Sequence, residues 1–399
     1  MADYFFILIA FLSAFFVVTY PRQGTKVFLF VIATLPLGLV FDVKLMAFSY
    51  IRVFIFSSAF FVILTIPFSD IRLNSTYLIS FFLICFVSIF SYTVNDFGNV
   101  WSLVRDLFGL SLLYCTIIVG DYLKKRTSIE LLWLKYWVIF AVVIDIFSYF
   151  IILHFQISIE GIRGEVLSRT GFLRYADVLS ITLYALSIYF FFQSRGRMLW
   201  ALIIFIIPAI SAERVLLIST LICYLFYLKS ISIKSVVFYS VIAFLLILTF
   251  SQDFINNLLI FKDQEMLQRF KEISSIEGIY ISLFYRFAAP ALEGGYTLDA
   301  YTLLFGSGGG FLFYIPWFVY RGIDPFQVSS DSFFFVSFIK YGLVGLSILI
   351  FMFYRFLSNV PRVYLFWIVG FAIVQNVVYV DAFLLMMILF QLLNRKNIE

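Results

Sequence analysis

Seven arginines occupy the polar breaks of an otherwise strongly apolar chain. Arg163, Arg169 and Arg174 lie within residues 154–176, Arg214 lies in "IPAISAERVLLIST" (207–220), and Arg269, Arg286 and Arg321 lie within 251–332. Lysine is sparse in the same stretches. A guanidinium is always charged and offers a planar fork of donors, so arginine suits sites where phosphate or carboxylate is gripped at two points. Taken singly, each arginine is equally well explained by a nearby acid or a lipid headgroup, and 251–300 does carry Asp253, Asp263, Glu265, Glu272, Glu277, Glu293 and Asp299. As a group they point to an oxyanion site. Near the end of the same region, "VSSDSFFF" contains Asp331. There Ser330 or Asp331 can cap the next helix, or Asp331 can be a carboxylate that orients or deprotonates a hydroxyl.

Arg214 adds depth to this picture. Apolar runs flank Glu213 and Arg214 on both sides, which places a charged pair at or just below a membrane surface, where an ionisable group is costly and functional by default. Glu213 either neutralises Arg214 or leaves it to hold the phosphates of a membrane-anchored substrate. "FKDQEMLQRFKEIS" (261–274) spaces Met266, Phe270 and Ile273 as one helical face, so an amphipathic helix is expected. Arg269 sits beside that apolar stripe and reads first as structural. Arg286 falls in "YISLFYRFAAPALEGGY" (280–296), expected to be helical up to Pro290, and reads as functional.

The glycines of "LLFGSGGGFLF" (303–313) resemble a phosphate cradle. A P-loop needs Lys and then Ser or Thr after its last glycine, and a dinucleotide fingerprint needs a third glycine and a βαβ frame. Neither is present, so a flexible turn is expected between the arginine-bearing loop and the Asp331 helix. Metal and histidine chemistry are not expected either. His154 is the sole histidine, and Cys85, Cys115 and Cys223 are scattered through apolar runs, whereas zinc sites and triads need several such groups convergent. No cofactor is implied.

The elements that must carry these residues are membrane spans. The chain is 63% hydrophobic and 13% charged, against about 25% charge in soluble domains. With about 20 apolar residues per span, spans are read near 4–20, 27–41, 46–67, 75–94, 102–120, 129–153, 177–193, 199–211, 215–228, 235–250, 333–353, 363–378 and 381–394. The first reads as a retained anchor, since no basic n-region or cleavage site is evident. "DYLKKRTS" (121–128), "QSRGRM" (193–198), "YLKSISIK" (227–234), "YRFLSNVPR" (354–362) and "NRKN" (394–397) are basic and should be cytoplasmic. The polar segments 154–176 and 251–332 then share the outer face. Thirteen spans would leave the amino terminus outside, so about twelve are expected, with one early segment not crossing or "YPRQGTK" breaking the rule. The fold class is thus an all-α polytopic integral membrane protein, divided into an N-terminal bundle (1–153), a first outer loop (154–176), central helices with a hairpin at 211–214 (177–250), a large outer loop (251–332) and C-terminal helices (333–399). Asp145 and Lys340, charges inside spans, are expected to pair within the bundle without chemistry.

The order of these pieces resembles the O-antigen polymerase (Wzy-type) family, relatives of the O-antigen ligases. "RTGFLRYADVLS" (169–180) stands in an outer loop, followed by the "SAERVLLIS" hairpin (211–219), a long outer loop with an arginine-bearing helix, the "LFGSGGG" turn (304–310), and an acidic or His residue, here Asp331, opening a span that ends in "YGLVG" (341–345). The motifs are loose singly and more specific in their order, which covers most of the chain. The resemblance implies a multi-pass protein of the bacterial inner membrane, with GT-C-like glycosyltransferase architecture and a periplasmic site, free of metal. It would join oligosaccharide units carried on undecaprenyl pyrophosphate, with membrane lipid and a chain-length regulator (a polysaccharide co-polymerase) as partners and no nucleic acid. By position, Arg169, Arg214 and Arg286 are similar to the family's functional arginines. Asp331 stands where the ligases tend to have histidine, which favours polymerase over ligase and leaves the base open. A ligase, or a flippase or other transporter of lipid-linked oligosaccharide, is the alternative; a flippase would need charges along a path open to both faces.

Overall fold

Uninterrupted runs of Phe, Ile, Leu and Val can satisfy their backbone groups in lipid only by helical hydrogen bonding, and the computed structural model of the chain is accordingly mostly helical. It describes residues 2–34, 40–43, 46–65, 75–95, 100–127, 129–155, 163–166, 173–176, 180–193, 197–211, 289–297, 299–315, 324–330, 332–358, 360, 367–368, 371–372 and 381–393. The helices of the first half are α1 (Ala2–Thr19), α2 (Pro21–Thr34), α3 (Tyr50–Thr65), α4 (Ser75–Asn95), α5 (Val100–Arg126), α6 (Leu131–Phe155), α7 (Ser180–Gln193) and α8 (Arg197–Ser211). Later come α9 (Ala289–Glu293), α10 (Ala300–Phe305), α11 (Phe333–Leu357) and α12 (Asp381–Leu393).

Three of these helices are long and apolar enough to cross a membrane: α4 over Thr76–Asn95, α5 and α11. The surface of α4 agrees. Ile79, Phe82, Phe86 and Phe90 recur three or four residues apart, with Phe82 60% and Phe86 64% exposed. Such a continuous apolar stripe needs lipid or another apolar partner. The chain is a membrane protein. The expected spans at 215–228 and 235–250 and the amphipathic segment 261–274 lie outside the described residues.

The all-α expectation needs one correction. Three two-stranded antiparallel hairpins join helices: β1 (Val40–Val43) with β2 (Met46–Ser49), β3 (Arg163–Val166) with β4 (Leu173–Ala176), and β5 (Phe313–Tyr314) with β6 (Phe326–Gln327). Connections close to a bilayer cannot leave backbone donors and acceptors to water alone, and pairing two short extended segments satisfies them. The helix expected up to Pro290 lies outside the described residues as far as 288, and a short helix, α9, spans Ala289–Glu293. Pro290 falls in its first turn, where a missing N–H costs nothing.

Contacts between helices fix two ends of the bundle. The Tyr122 hydroxyl donates to the Val18 carbonyl at 2.8 Å, Arg22 pairs with Glu130 at 2.6 Å, and Lys26 lies 5.3 Å from the Trp133 ring. Trp137 Nε1 donates to the Leu29 carbonyl at 2.7 Å, so α2 and α6 run parallel from this end. Lys135 is 5.6 Å from the Phe190 ring, which lies 4.8 Å from Trp200, so α7 returns to the same end and α8 leaves it. Arg355, over the Tyr77 ring at 5.4 Å, also belongs here. Arg22, Lys26, Lys124, Lys125, Arg126, Arg197 and Arg355 therefore gather at one basic end. "YPRQGTK" sits with the other basic connections and does not break the pattern.

The largest departure from the expected spans is in α11. Phe333 and Phe353 would be about 30 Å apart along a straight helix, yet their rings touch at a centroid distance of 5.1 Å. The reason is Gly342, whose φ of 62° and ψ of −166° are non-helical. A Cβ there would run into the Leu304 carbonyl, so only glycine admits both the conformation and the contact. By length and composition α11 is one span. By geometry it is two arms, one up to Tyr341 and one from Leu343, folded against each other.

Candidate functional site

The glycine segment 306–310 is not a flexible turn. It is docked between α4, α5 and the α11 break, about two helical turns inside the α4–α5 pair. Each of its amides is matched. Gly306 N–H donates to the Thr302 carbonyl (2.9 Å), Ser307 to Ile339 (2.8 Å), Gly308 to Lys340 (2.9 Å) and Gly309 to Ser88 (3.0 Å). Gly310 N–H donates to Asp106 Oδ2 at 2.6 Å. The Phe305 carbonyl accepts from Ser91 Oγ at 2.8 Å and that of Gly306 from Asn95 Nδ2 at 3.2 Å. At Gly308, φ is 98° and a Cβ would meet the Tyr92 amide; no other residue fits. The glycines do cradle oxygen, as their resemblance to a phosphate loop hinted, but the oxygens belong to the protein.

Two kinds of oxygen are involved, and both follow from the break. Interrupting a helix at Gly342 orphans the last carbonyls of the preceding arm, and Ser307 and Gly308 supply the missing donors to Ile339 and Lys340. The third acceptor is Asp106. Its carboxylate also receives Lys340 Nζ at 2.6 Å from both oxygens, and both side chains are fully buried. Lys340 Nζ lies 5.8 Å from the Phe313 ring as well. A buried carboxylate is tolerable only when paired and hydrogen-bonded, and here an ammonium and a backbone amide do both.

Lys340 thus pairs within the bundle as expected, but its partner is Asp106, which the sequence reading passed over. The signal was present: "WSLVRDLFGL" (101–110) puts an acid inside an apolar run, where it needs a reason. Asp145, the other expected member, is half-buried on α6.

Between the glycine segment and Gly342 the chain makes one excursion whose two feet touch. It passes through Phe311 and β5, pairs back through β6, and reaches the break along the first arm of α11. The β ladder holds Phe313 opposite Gln327 and Tyr314 opposite Phe326. Arg321 falls between these strands and Asp331 directly before α11, and both lie outside the described residues. The cap of α11 is nevertheless clear. Ser332 Oγ accepts from the Phe335 amide at 3.4 Å, with Ser332 at a φ of 68°. Neither Ser330 nor Asp331 fills the cap position.

Leading into the glycines, α10 opens with a capping box. Asp299 Oδ1 accepts from the Thr302 amide at 2.8 Å, and Thr302 Oγ1 accepts from the Asp299 amide at 3.0 Å. The bond from the Thr302 amide, aided by its hydroxyl, holds the Asp299 carboxyl below its ordinary pKa.

The remaining candidates divide into two groups. Arg163 and Arg174 lie on β3 and β4, with Arg163 paired to Ala176 and Arg174 to Glu165 in the register. β4 packs against α8, whose end at Ser211 leads to Glu213 and Arg214. This hairpin follows the end of α6 remote from Glu130, so it shares the end of the bundle that carries the glycine segment. Arg169, Arg214, Arg269 and Arg286 lie outside the described residues. The structure brings the Arg163 and Arg174 positions together and packs their hairpin against α8.

Comparison with protein families bears on the same region. Residues 127–397 match a family of unknown function, DUF6369. The chain belongs to this family. The DUF6369 range takes in all seven arginines, the glycine segment, Asp331 and Lys340, whereas Asp106 precedes it. No curated protein matches the chain, and no solved structure matches it.

Proposed function

We propose that the chain is a glycosyltransferase with a lipid-linked donor, acting as a polymerase of O-antigen or a similar surface polysaccharide in the bacterial inner membrane. The observation that carries this reading is the division of cations between two ends. Lysine and arginine connections crowd one end, as cytoplasmic loops do, while the Arg163–Arg174 hairpin follows the opposite end of α6. An arginine pair set apart from the basic end suits an enzyme acting at one face. A flippase would need them along a path open to both.

The chemistry requires little beyond these groups. A hydroxyl of the acceptor sugar attacks the anomeric carbon of the growing chain, forming the new glycosidic C–O bond. The bond from that carbon to undecaprenyl pyrophosphate breaks, and its electron pair leaves with the phosphate. Arg286, with Arg169 and Arg214, stabilises the developing negative charge, a role worth about 2.7 to 4 kcal/mol for one lost donor in comparable oxyanion sites. Asp331 takes the proton of the attacking hydroxyl. Support for that role comes from Ser332, because it fills the cap position that would otherwise account for Asp331. Arg163, Arg174, Arg269 and Arg321 complete the binding surface for pyrophosphate and sugar, and no metal enters a step.

Replacing Arg286 is the direct test. Arg286→Ala should abolish long-chain polysaccharide while leaving lipid A core capped with a single unit, and Arg286→Lys should rescue poorly because a point charge cannot grip at two places. A normal ladder from stably expressed Arg286→Ala would overturn the assignment.

A further inference from the structure

We propose that the β5–β6 hairpin and the first arm of α11 wall a water-filled cavity inside the membrane layer, open to hydrophilic solutes at the end remote from the basic residues and closed toward the basic end. The cavity goes beyond the proposed transfer reaction and does not depend on it. Depth is the first observation. The Ser88 carbonyl, which accepts from Gly309 N–H at 3.0 Å, lies between Phe86 and Phe90 on α4, which are 64% and 40% exposed, and Val94 beyond them is 53% exposed. The glycine segment therefore docks within the lipid-facing stretch of α4. From Gly342 both arms of α11 run toward the basic end. The second brings Arg355 over the Tyr77 ring, and the first brings Phe333 to 5.1 Å from Phe353, a level about 16 Å from the break along the helix. Phe313 lies beside this first arm, 5.8 Å from Lys340 Nζ and 6.2 Å from the Phe335 ring, and it pairs with Gln327. The hairpin is thus set at membrane depth.

Its exposure is the second observation. Extended or irregular backbone at that depth is tolerated only when buried in protein or facing water. Asp324 is exposed, Phe326 is 47% exposed, and Pro325, Gln327, Val328 and Ser329 are half-buried. A carboxylate on such a surface is costly in lipid, so water must reach it. The polar groups there are those of an aqueous wall: Asp324 Oδ1 accepts from the Phe326 amide at 2.9 Å, and Gln327 Nε2 donates to the Asp324 carbonyl at 2.6 Å. Toward the basic end the bundle is filled. Phe333, Phe353, Phe383, Phe371 and Trp367 touch in series at centroid distances of 5.1, 6.5, 6.0 and 5.3 Å. Phe356 sits so close to Gly120 that a Cβ there would come within 2.8 Å of its ring. Close-packed rings leave no passage for water, so the cavity opens only at the other end.

Single cysteines in the full chain, in a background lacking Cys85, Cys115 and Cys223, test this with a membrane-impermeant methanethiosulfonate reagent added to spheroplasts or to inside-out vesicles. Val100→Cys and Lys125→Cys, at the two ends of α5, define the two sides. Asp324→Cys and Gln327→Cys should react from the Val100 side alone. Both should react at least about tenfold faster than Phe86→Cys, which faces lipid, because only the thiolate reacts and apolar surroundings suppress it. Either variant decides the matter if the other fails to insert. Protection from both sides would overturn the cavity. Reaction from the Lys125 side would overturn the closed floor and show a path open to both faces. Neither readout depends on polymer being formed.

Discussion

The role proposed for Asp331 is separable from the cap that Ser332 supplies next to it. Ser332 caps α11 with its hydroxyl while holding a positive φ of 68°. Glycine at an N-cap costs only a few tenths of a kcal/mol against serine, and it relieves a left-handed penalty of about 1 kcal/mol. Ser332→Gly should therefore unfold at the same temperature or slightly higher and make a normal polysaccharide ladder. Asp331→Asn should leave the unfolding temperature alone and lower the transfer rate by about 10²- to 10⁴-fold, the range for a lost general base. Near-wild-type transfer by Asp331→Asn in reconstituted membranes would end its assignment as base. Elsewhere at this scale, depression of the Asp299 carboxyl means that its capping contribution is complete above about pH 4, the unfolded value. That contribution is lost only as pH falls through the lower folded value, so α10 should be insensitive to pH across the neutral range.

At the scale of elements, the α11 break is the feature most open to direct measurement. Cysteines replacing Phe333 and Phe353 should be joined by a short bifunctional maleimide in a background lacking Cys85, Cys115 and Cys223. A straight helix would hold them about 30 Å apart, and failure to cross-link would mean that the arms do not fold together. Gly342→Ala should abolish the cross-link and destabilise the protein by about 1 to 3 kcal/mol or more, since its Cβ meets backbone that has no rotamer to yield. These elements also mark how far the sequence could be read. Helices occupy the expected places at 75–94, 129–153 and 381–394 within a few residues, because long apolar runs leave one option in lipid. The break at Gly342 was not legible. A glycine inside an apolar run is as consistent with close helix packing as with a fold-back, and the choice depends on Leu304, which lies far away in sequence. Asp106 was legible as an oddity, but its meaning needed Gly310 and Lys340 beside it. The seating of the glycines is not legible either, because their partners are backbone carbonyls and a carboxylate that no local pattern announces.

On the scale of the whole molecule, the bundle has a basic end and an end bearing the arginine hairpin. That division is testable by accessibility. Lys125 and Val100 are both exposed and lie at opposite ends of α5. A cysteine at Val100 should react with a membrane-impermeant maleimide added to spheroplasts, and one at Lys125 only after the membrane is opened. The reverse pattern would place the arginines in the cytoplasm and remove the periplasmic site. The central claim, polymerisation of lipid-linked units at that outer face, is met most directly by deleting the gene in its own host and resolving the surface polysaccharide on a gel. The account predicts a ladder collapsed to core bearing one repeat unit, restored by the wild-type chain and not by Arg286→Ala. An unchanged ladder would contradict it, as would unmodified core with accumulated lipid-linked polymer, the outcome expected of a ligase.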